Sequence, residues 1–224
     1  MFDQLKICNK ASFYDFGASL ASREIKPPKK KSIKETVPFS NITYDFSAIN
    51  GELYWDERTL KYVFEIIADN PESLERKKIE FSKWVMNIMN ENIYDPYEPD
   101  YHYVGTFDDL EYSDEDCVEK TTATVTFSAY PYKIANKATN RIFVVPAASE
   151  KVIAIFNDSA HRITPTITTD SAIVVSGSGD GYAIPAGSYV VSALALNTGA
   201  NTFTIQNPAE AECKVVFSFY EEVF

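Results

Sequence analysis

The sequence predicts a mainly β chain in two parts, the first carrying one helix packed on its strands. Three observations lead there. Two long segments of alternating hydrophobicity bracket a single amphipathic stretch in the first half. The second half breaks into seven short Val-, Ile- and Thr-rich segments separated by turn residues. The composition also shifts near residue 133. Residues 1–133 hold 16 of the 21 Lys and Arg, both tryptophans and 11 of the 14 tyrosines, whereas residues 134–224 hold five of the eight glycines. The boundary falls close to Tyr130-Pro131-Tyr132, giving domains 1–133 and 134–224.

In LKYVFEII (60–67), Leu60, Tyr62, Phe64 and Ile66 share one face of a strand. In TATVTFSA (122–129), Ala123, Val125, Phe127 and Ala129 face one way, and Thr and Ser the other. Between them Asn70 suits a helix N-cap and Pro71 the first turn, where a missing N–H costs nothing. Leu74, Phe81, Trp84, Val85 and Ile88 then form one helical stripe, with Lys77, Lys78 and Lys83 mostly off it. This spacing gives Trp84 a packing role against a sheet.

The strands expected in the second half are 141–145, 151–156, 163–169, 172–176, 188–196, 202–206 and 214–220. Turn signals at Asn157-Asp158-Ser159, Gly177 to Gly181, Pro185-Ala186-Gly187 and Thr198 to Asn201 divide them. Short strands at such spacing predict a β-sandwich.

Composition narrows the function. A hydrophobic content of 45% in 224 residues supports one large or two small cores. No run approaches the roughly 18 apolar residues of a membrane helix, so no membrane partner is expected. The opening MFDQLKICNK has no basic segment followed by an apolar one, so no signal peptide is expected and folding in a cytoplasm is. Cys8, Cys117 and Cys213 are far apart, and the only histidines, His102 and His161, lack ligand-spaced partners. Reduced thiols and no metal site are therefore expected, and no cofactor.

The net charge is −11, and residues 94–119 carry ten acids without a Lys or Arg, leaving −1 for the rest. General nucleic-acid binding needs a basic surface and is not expected. The run Asp108 to Asp116 lacks the spacing and central glycine of an EF-hand loop and reads as a solvated acidic face. Gly177-Ser178-Gly179-Asp180-Gly181 has its serine in the wrong place for a nucleophile elbow and reads as a hairpin. No phosphate loop or other catalytic signature is present, so the chain is expected not to be an enzyme.

One segment is more specific. IKPPKKKSIKETVPFSNITYDFSAINGELYWDERTLKYVFEI (25–66) resembles the signature region of siphophage distal tail (Dit) proteins. There a Pro/Lys-rich stretch leads into V-P-x-S-N-x-x-Y-D-F, a glycine, and E-R-x-L-x-Y-x-F. The matching residues are Val37, Pro38, Ser40, Asn41, Tyr44, Asp45, Phe46, Gly51, Tyr54, Glu57, Arg58, Leu60, Tyr62 and Phe64. Downstream, 94–107 resembles the family's strand pair after the helix, and 125–133 the strand ending in Pro-Tyr that closes the first domain. Residues 157–165, 184–205 and 215–224 are similar to its accessory domain.

The resemblance implies an N-terminal, ring-forming β-sandwich with one packed helix and a C-terminal galectin-like or jelly-roll β-sandwich. It further implies a virion structural protein at the tail tip, assembled in the host cytoplasm. This hexameric hub would join the tail tube protein to tail-associated and receptor-binding proteins and pass DNA through its centre. On this reading Lys29, Lys30, Lys31, Asn41, Tyr44 and Arg58 are candidate interface residues, and Asp108, Asp109 and Glu111 are candidate channel-facing acids. Tyr44, Tyr54, Trp55, Tyr62, Tyr94, Tyr97, Tyr101 and Tyr103 supply amphipathic area suited to interfaces, with about half expected in the core. The alternative function is a carbohydrate-binding β-sandwich contributing to host recognition. Its platforms would be Tyr182 and Tyr189, since the second half has no tryptophan and His161-Arg162 does not form the galectin arrangement.

Overall fold

A computed structural model describes residues 3–36, 38, 39, 41–48, 53–114, 119–177 and 179–224. Val37, Ser40 and Gly51 of the signature segment, Glu115 and Asp116 of the acidic run, Cys117 and Ser178 lie outside the described residues. The fold is mainly β, and the chain divides into two units, residues 1–133 with Phe224 and residues 134–223.

The first unit runs β1 (Lys6–Ile7), β2 (Lys10–Ala11), α1 (Ser12–Phe16), β3 (Ala18–Ile25), β4 (Lys34–Thr36), β5 (Thr43–Asp45), β6 (Arg58–Ile67), α2 (Pro71–Val85), β7 (Glu91–Tyr94), β8 (Tyr101–Asp114) and β9 (Lys120–Ala129). Seven strands form an antiparallel sheet in the order β2-β1-β7-β8-β9-β6-β3, while β4 and β5 make a separate ribbon. Its centre is the ten-residue pairing of β6 with β9, from Arg58 opposite Ala129 to Ile67 opposite Lys120.

Alternation along β6 buries Leu60, Tyr62, Phe64 and Ile66; along β9 it buries Ala123, Val125, Phe127 and Ala129. Onto this face α2 lays Leu74, Phe81, Trp84 and Val85. Asn70 caps the helix by accepting the Ser73 N–H through Oδ1 at 2.9 Å. Phe81 meets Phe64 edge-on at 5.3 Å between ring centres, and Trp84 stacks on Phe16 of α1 at 4.6 Å. Trp84 thus packs the two helices together as well as lying in the sheet's core. Gly17 ends α1 at φ 66, in the left-handed region that glycine tolerates, with its N–H on the Phe13 carbonyl.

An ionic network holds the turn between β7 and β8. Arg23 Nη1 donates to Asp95 at 2.6 Å and to Glu98 at 3.2 Å. Asp95 also accepts the Tyr62 hydroxyl (3.1 Å) and the Tyr97 N–H (2.9 Å). Glu98 accepts the Tyr103 hydroxyl (3.1 Å) and pairs with Lys133 at 2.8 Å. Burial pushes the Glu98 carboxyl up, but Lys133, the Tyr103 hydroxyl and Arg23 more than reverse this, and it lies below its ordinary 4.5.

The second unit comprises β10 (Lys133–Ala135), β11 (Thr139–Val145), β12 (Ser149–Asn157), β13 (Thr166–Thr169), β14 (Ile173–Ser176), β15 (Gly181–Ile184), β16 (Gly187–Val190), β17 (Gly199–Asn207), β18 (Cys213–Phe219) and β19 (Glu222–Val223). Two four-stranded sheets, β11-β18-β13-β16 and β12-β17-β14-β15, enclose a core of Ile155, Ile167, Val175, Leu196, Ile205, Val215 and Phe217. This strand order is that of a jelly roll.

The strand expected at 188–196 stops at Val190 and passes into a 3-10 turn over Ser192–Leu194. Only Leu196 pairs again, in a bridge to Ile163. Buried asparagines lock two corners. Asn157 donates to the His161 and Leu196 carbonyls (3.1 and 3.0 Å), and Asn207 to those of Val145, Pro146 and Ala211 (3.2, 3.0 and 2.8 Å).

Two outcomes are expected from this packing. Phe81→Ala empties the contact between α2 and the sheet and costs roughly 3–5 kcal/mol, read from urea denaturation. Because Glu98 lies below its unfolded value, its contribution is complete above pH 4.5 and is lost as pH falls through the folded value. The wild-type urea midpoint therefore falls more steeply below pH 4.5 than that of Glu98→Gln. Parallel curves would remove Glu98 from the acid transition.

Candidate functional site

The sheet of the first unit has two chemically different faces. Opposite α2, β9 presents Lys120, Thr122, Thr124, Thr126 and Ser128. The residues in register on β8 are Ser113, Glu111, Asp109 and Thr106, and those on β6 are Glu65, Val63, Lys61 and Thr59. Ser19, Ser22 and Glu24 of β3 continue the rows. Hydroxyls and charges dominate this face. Lys120 is paired with Glu65 at 3.2 Å, while Asp109 and Glu111 are exposed along β8.

The described part of the acidic run, Asp108 to Asp114, is thus the second half of a 14-residue strand. A bulge between Phe107 and Asp109 leaves Asp108 exposed and out of the pairing. The bulge also sets the alternation beyond it. Leu110 and Tyr112 turn to the core side, and Asp109 and Glu111 to the polar side.

Both flanks of this sheet are only partly covered. On one side, β6 is the one described strand that pairs with β3, whose outer edge takes a single backbone bond, from Leu20 N–H to the Asp3 carbonyl at 3.0 Å. On the other, β7 covers β8 only at Tyr103, Val104 and Gly105. From Asp108 to Asp114 no other described strand of the first unit pairs with β8 apart from β9.

The lysine strip is an extended segment joined to residues 54–56. Lys31 N–H donates to the Tyr54 carbonyl at 2.9 Å, Asp56 N–H donates to the Lys29 carbonyl at 2.8 Å, and Lys30 bridges Trp55. Lys29, Lys30 and Lys31 are exposed. Asn41 and Tyr44 are exposed on the adjoining ribbon, where Tyr44 stacks with Phe46 at 6.3 Å.

Arg58 does not join that strip. It is only 4% exposed, with its guanidinium over the Tyr103 ring at 5.4 Å. Burial pushes its ionisation below the ordinary guanidinium value, partly offset by Tyr103, Glu98 and Tyr62. Of the eight aromatics, Tyr62 and Tyr103 are core residues, Tyr44, Tyr54, Tyr94 and Tyr97 are exposed, and Trp55 and Tyr101 lie between.

In the second unit Tyr182 and Tyr189 sit on β15 and β16, the terminal strands of their respective sheets, at 38% and 40% exposure. They register with the buried Val175 and Ile167, so each is partly held by the edge of its sheet. Cys8 is exposed and Cys213 is buried. Among the described residues no group of His, Cys, Asp and Glu is placed to hold a metal, and no helix is long and apolar enough to cross a membrane.

Sequence reasoning left the polar sheet face and the partly open flanks unread. The alternation in β9 signals the face, but only the pairing shows that β8 adds its acids to it.

No family model and no curated protein matches the sequence. Among solved structures, the chain is similar to the SPP1 Dit (gp 19.1) protein, described as a paradigm of the hub adsorption apparatus in phages infecting Gram-positive hosts. The TM-score is 0.70 at 13% identity, covering 98% of this chain and 99% of that one. Weaker similarities are to the phage P2 baseplate in its activated conformation with Ca (TM-score 0.46, 11% identity, 96% and 98% covered) and to a de novo designed double-stranded β-helix (TM-score 0.28, 15% identity, 38% and 97% covered). Through both of its units, this chain has the fold of the SPP1 distal tail protein.

Proposed function

We propose that the chain is a structural protein of a phage tail, a distal tail hub that closes into a hexameric ring through residues 1–133. The ring joins the tail tube protein to tail-associated and receptor-binding proteins at the tip of the virion, and DNA passes through its centre. Its role is mechanical and not catalytic, and it calls for no cofactor.

The observation that carries this reading is the two-faced sheet with two flanks that are largely unpaired among the described residues. A sheet edge left unpaired is a template for another chain. One edge on each side of the same sheet suits a head-to-tail contact, β3 of one copy beside β8 of the next, and such contacts close into rings. Closure in this sense turns the hydroxyl and acidic face inward.

A lumen lined by Asp109 and Glu111, with Asp108 at the bulge, repels the DNA phosphates, and repetition around a ring multiplies the field. Thr and Ser provide a wettable wall without positive charge. The exposed lysines 29–31, with Asn41 and Tyr44 on the adjoining ribbon, then serve contacts to a neighbouring copy or to the tube. Likeness to the SPP1 protein over nearly the whole of both chains supports the same reading.

Ring particles of the purified chain, alone or on tail tubes, are the expected result of negative-stain imaging. A map of the ring would show Asp109 and Glu111 on the channel wall; acids on the outer rim would remove the channel role. Chains that stay single in both settings would overturn the hub. Rings of the double variant Asp109→Lys/Glu111→Lys are expected to bind short duplex DNA at least about tenfold tighter than wild type at low salt, an effect lost as salt rises. Lys29→Ala/Lys30→Ala/Lys31→Ala is expected to weaken ring formation without altering DNA binding. Tight wild-type DNA binding that this variant abolishes would reverse the assignment of the strip.

A further inference from the structure

We propose that the β4-β5 ribbon of one copy of this chain seats in a groove between α2 and β8 of the next. This pairing rests on the ring reading and names the two surfaces that meet.

The ribbon has no core of its own. Each of the three residues of β4 and of the three of β5 is exposed. So are Ile33, Phe39, Ile42 and Phe46 around them, and none of these belongs to the apolar cluster of the first unit. Two backbone bonds close the base, from Lys31 N–H to the Tyr54 carbonyl and from Asp56 N–H to the Lys29 carbonyl. A two-stranded ribbon by itself is marginally stable in water. Apolar side chains gathered on the outside of such an element mark a contact surface.

A groove of about 570 Å³ lies between α2 and β8, lined by Ile79 and Ser82 of the helix, Met86 just after it and Tyr112 of the strand. Ile79 and Met86 are 54% and 60% exposed. Tyr112 ties the two walls together, donating to the Lys78 carbonyl at 3.0 Å and lying 2.9 Å from Ser82 Oγ. The strand wall belongs to the stretch of β8 that β7 does not cover.

The registers bring ribbon and groove to the same flank. Ile25, Leu60, Phe127 and Phe107 form one row across β3, β6, β9 and β8. The Phe107 N–H is bonded to the Ile88 carbonyl, two residues after Met86. In a ring that sets β3 beside β8 of the next copy and continues this row, Ile25 comes to Phe107. The chain leaves β3 at Ile25, and the base of the ribbon begins at Lys29. Charge agrees with that placement. Lys29, Lys30 and Lys31 then meet the exposed Asp108, which follows Phe107. Glu35 and Asp45 on the ribbon offer acids to the exposed Lys83 on the groove wall.

Two double variants separate the surfaces. Phe39→Glu/Ile42→Glu spoils the ribbon and keeps the groove, and Ile79→Glu/Met86→Glu does the reverse. All four side chains are exposed, so both variants are expected to melt within about 2 °C of wild type. The readout is solution mass at a concentration where wild type assembles. Each variant alone is expected to remain a single chain. An equal mixture is expected to give dimers and nothing larger: the intact ribbon of one variant fits the intact groove of the other, and both outer ends are spoiled.

Either variant assembling like wild type, or a mixture that stays single, overturns the proposal and leaves the hub standing. A ribbon variant that still forms rings but no longer docks on tail tubes gives the ribbon to the tube and overturns it equally. Wild-type dimers in place of rings, lost in each variant and restored in the mixture, keep this contact and remove the ring. A wild type that stays single alone and on tail tubes overturns both. Should a double variant lose its fold, the single changes Phe39→Glu and Met86→Glu take its place with the same outcomes.

Discussion

Side chains alternate across a strand, and the first unit depends on that constraint at one place, the pairing of β6 with β9. Every core residue there has neighbours pointing the other way. Beneath α2 lie Tyr62, Phe64, Val125 and Phe127, so Lys61, Val63, Thr124 and Thr126 must face the opposite side. Threonine suits both demands, since its branched Cβ favours a strand while its hydroxyl accepts water. A slip of one residue would place Thr122, Thr124 and Thr126 under the helix and expose Phe127. The register therefore specifies the core and the polar face in a single step.

Polar groups of the first unit are arranged with unequal economy. The acids of the turn between β7 and β8 gather donors from β3, β6 and β8, which ties three strands together. Tyr62 belongs to both systems, with its ring in the apolar cluster and its hydroxyl on Asp95. Arg58 shares this region, and its Nε and Nη1 have no hydrogen-bond partner among the described residues.

The jelly roll solves a different problem. Its strands are short, and its corners bring carbonyls inside where water does not reach. Asn157 and Asn207, at the ends of β12 and β17, each satisfy several of these with one amide. Each also accepts a backbone N–H two residues on, from Ser159 and Ala209. The outer faces of both sheets carry mostly Val, Thr, Ser and Ala, and most charges sit in the corners. This unit is built by local turn chemistry, whereas the first is built by one long pairing.

By itself the sequence determined the mainly β class, α2 with its Asn70 cap, both strands of the central pair and most strands of the jelly roll. These follow from periodicity and turn residues, which act over a few neighbours. The Pro/Lys-rich segment and the motif after it also carried the likeness to distal tail proteins. Several features stayed hidden. Strand β8 was masked by its charge, because acids alternating with Leu110 and Tyr112 read as a solvated run until β9 pairs beside them. The short β15 disappeared behind the glycines of its own turn, and the stretch after Val190 looked like strand although it turns to bury Leu194. Arg58 read as a surface residue, since arginine is seldom buried and nothing near it in the chain announces Tyr103 as its cover. Only the tertiary structure decided which face each acid takes, which stretches of strand edge stay unpaired and that Arg58 is buried. Those properties arise between residues tens of positions apart, where pairing register, and not local preference, sets the outcome.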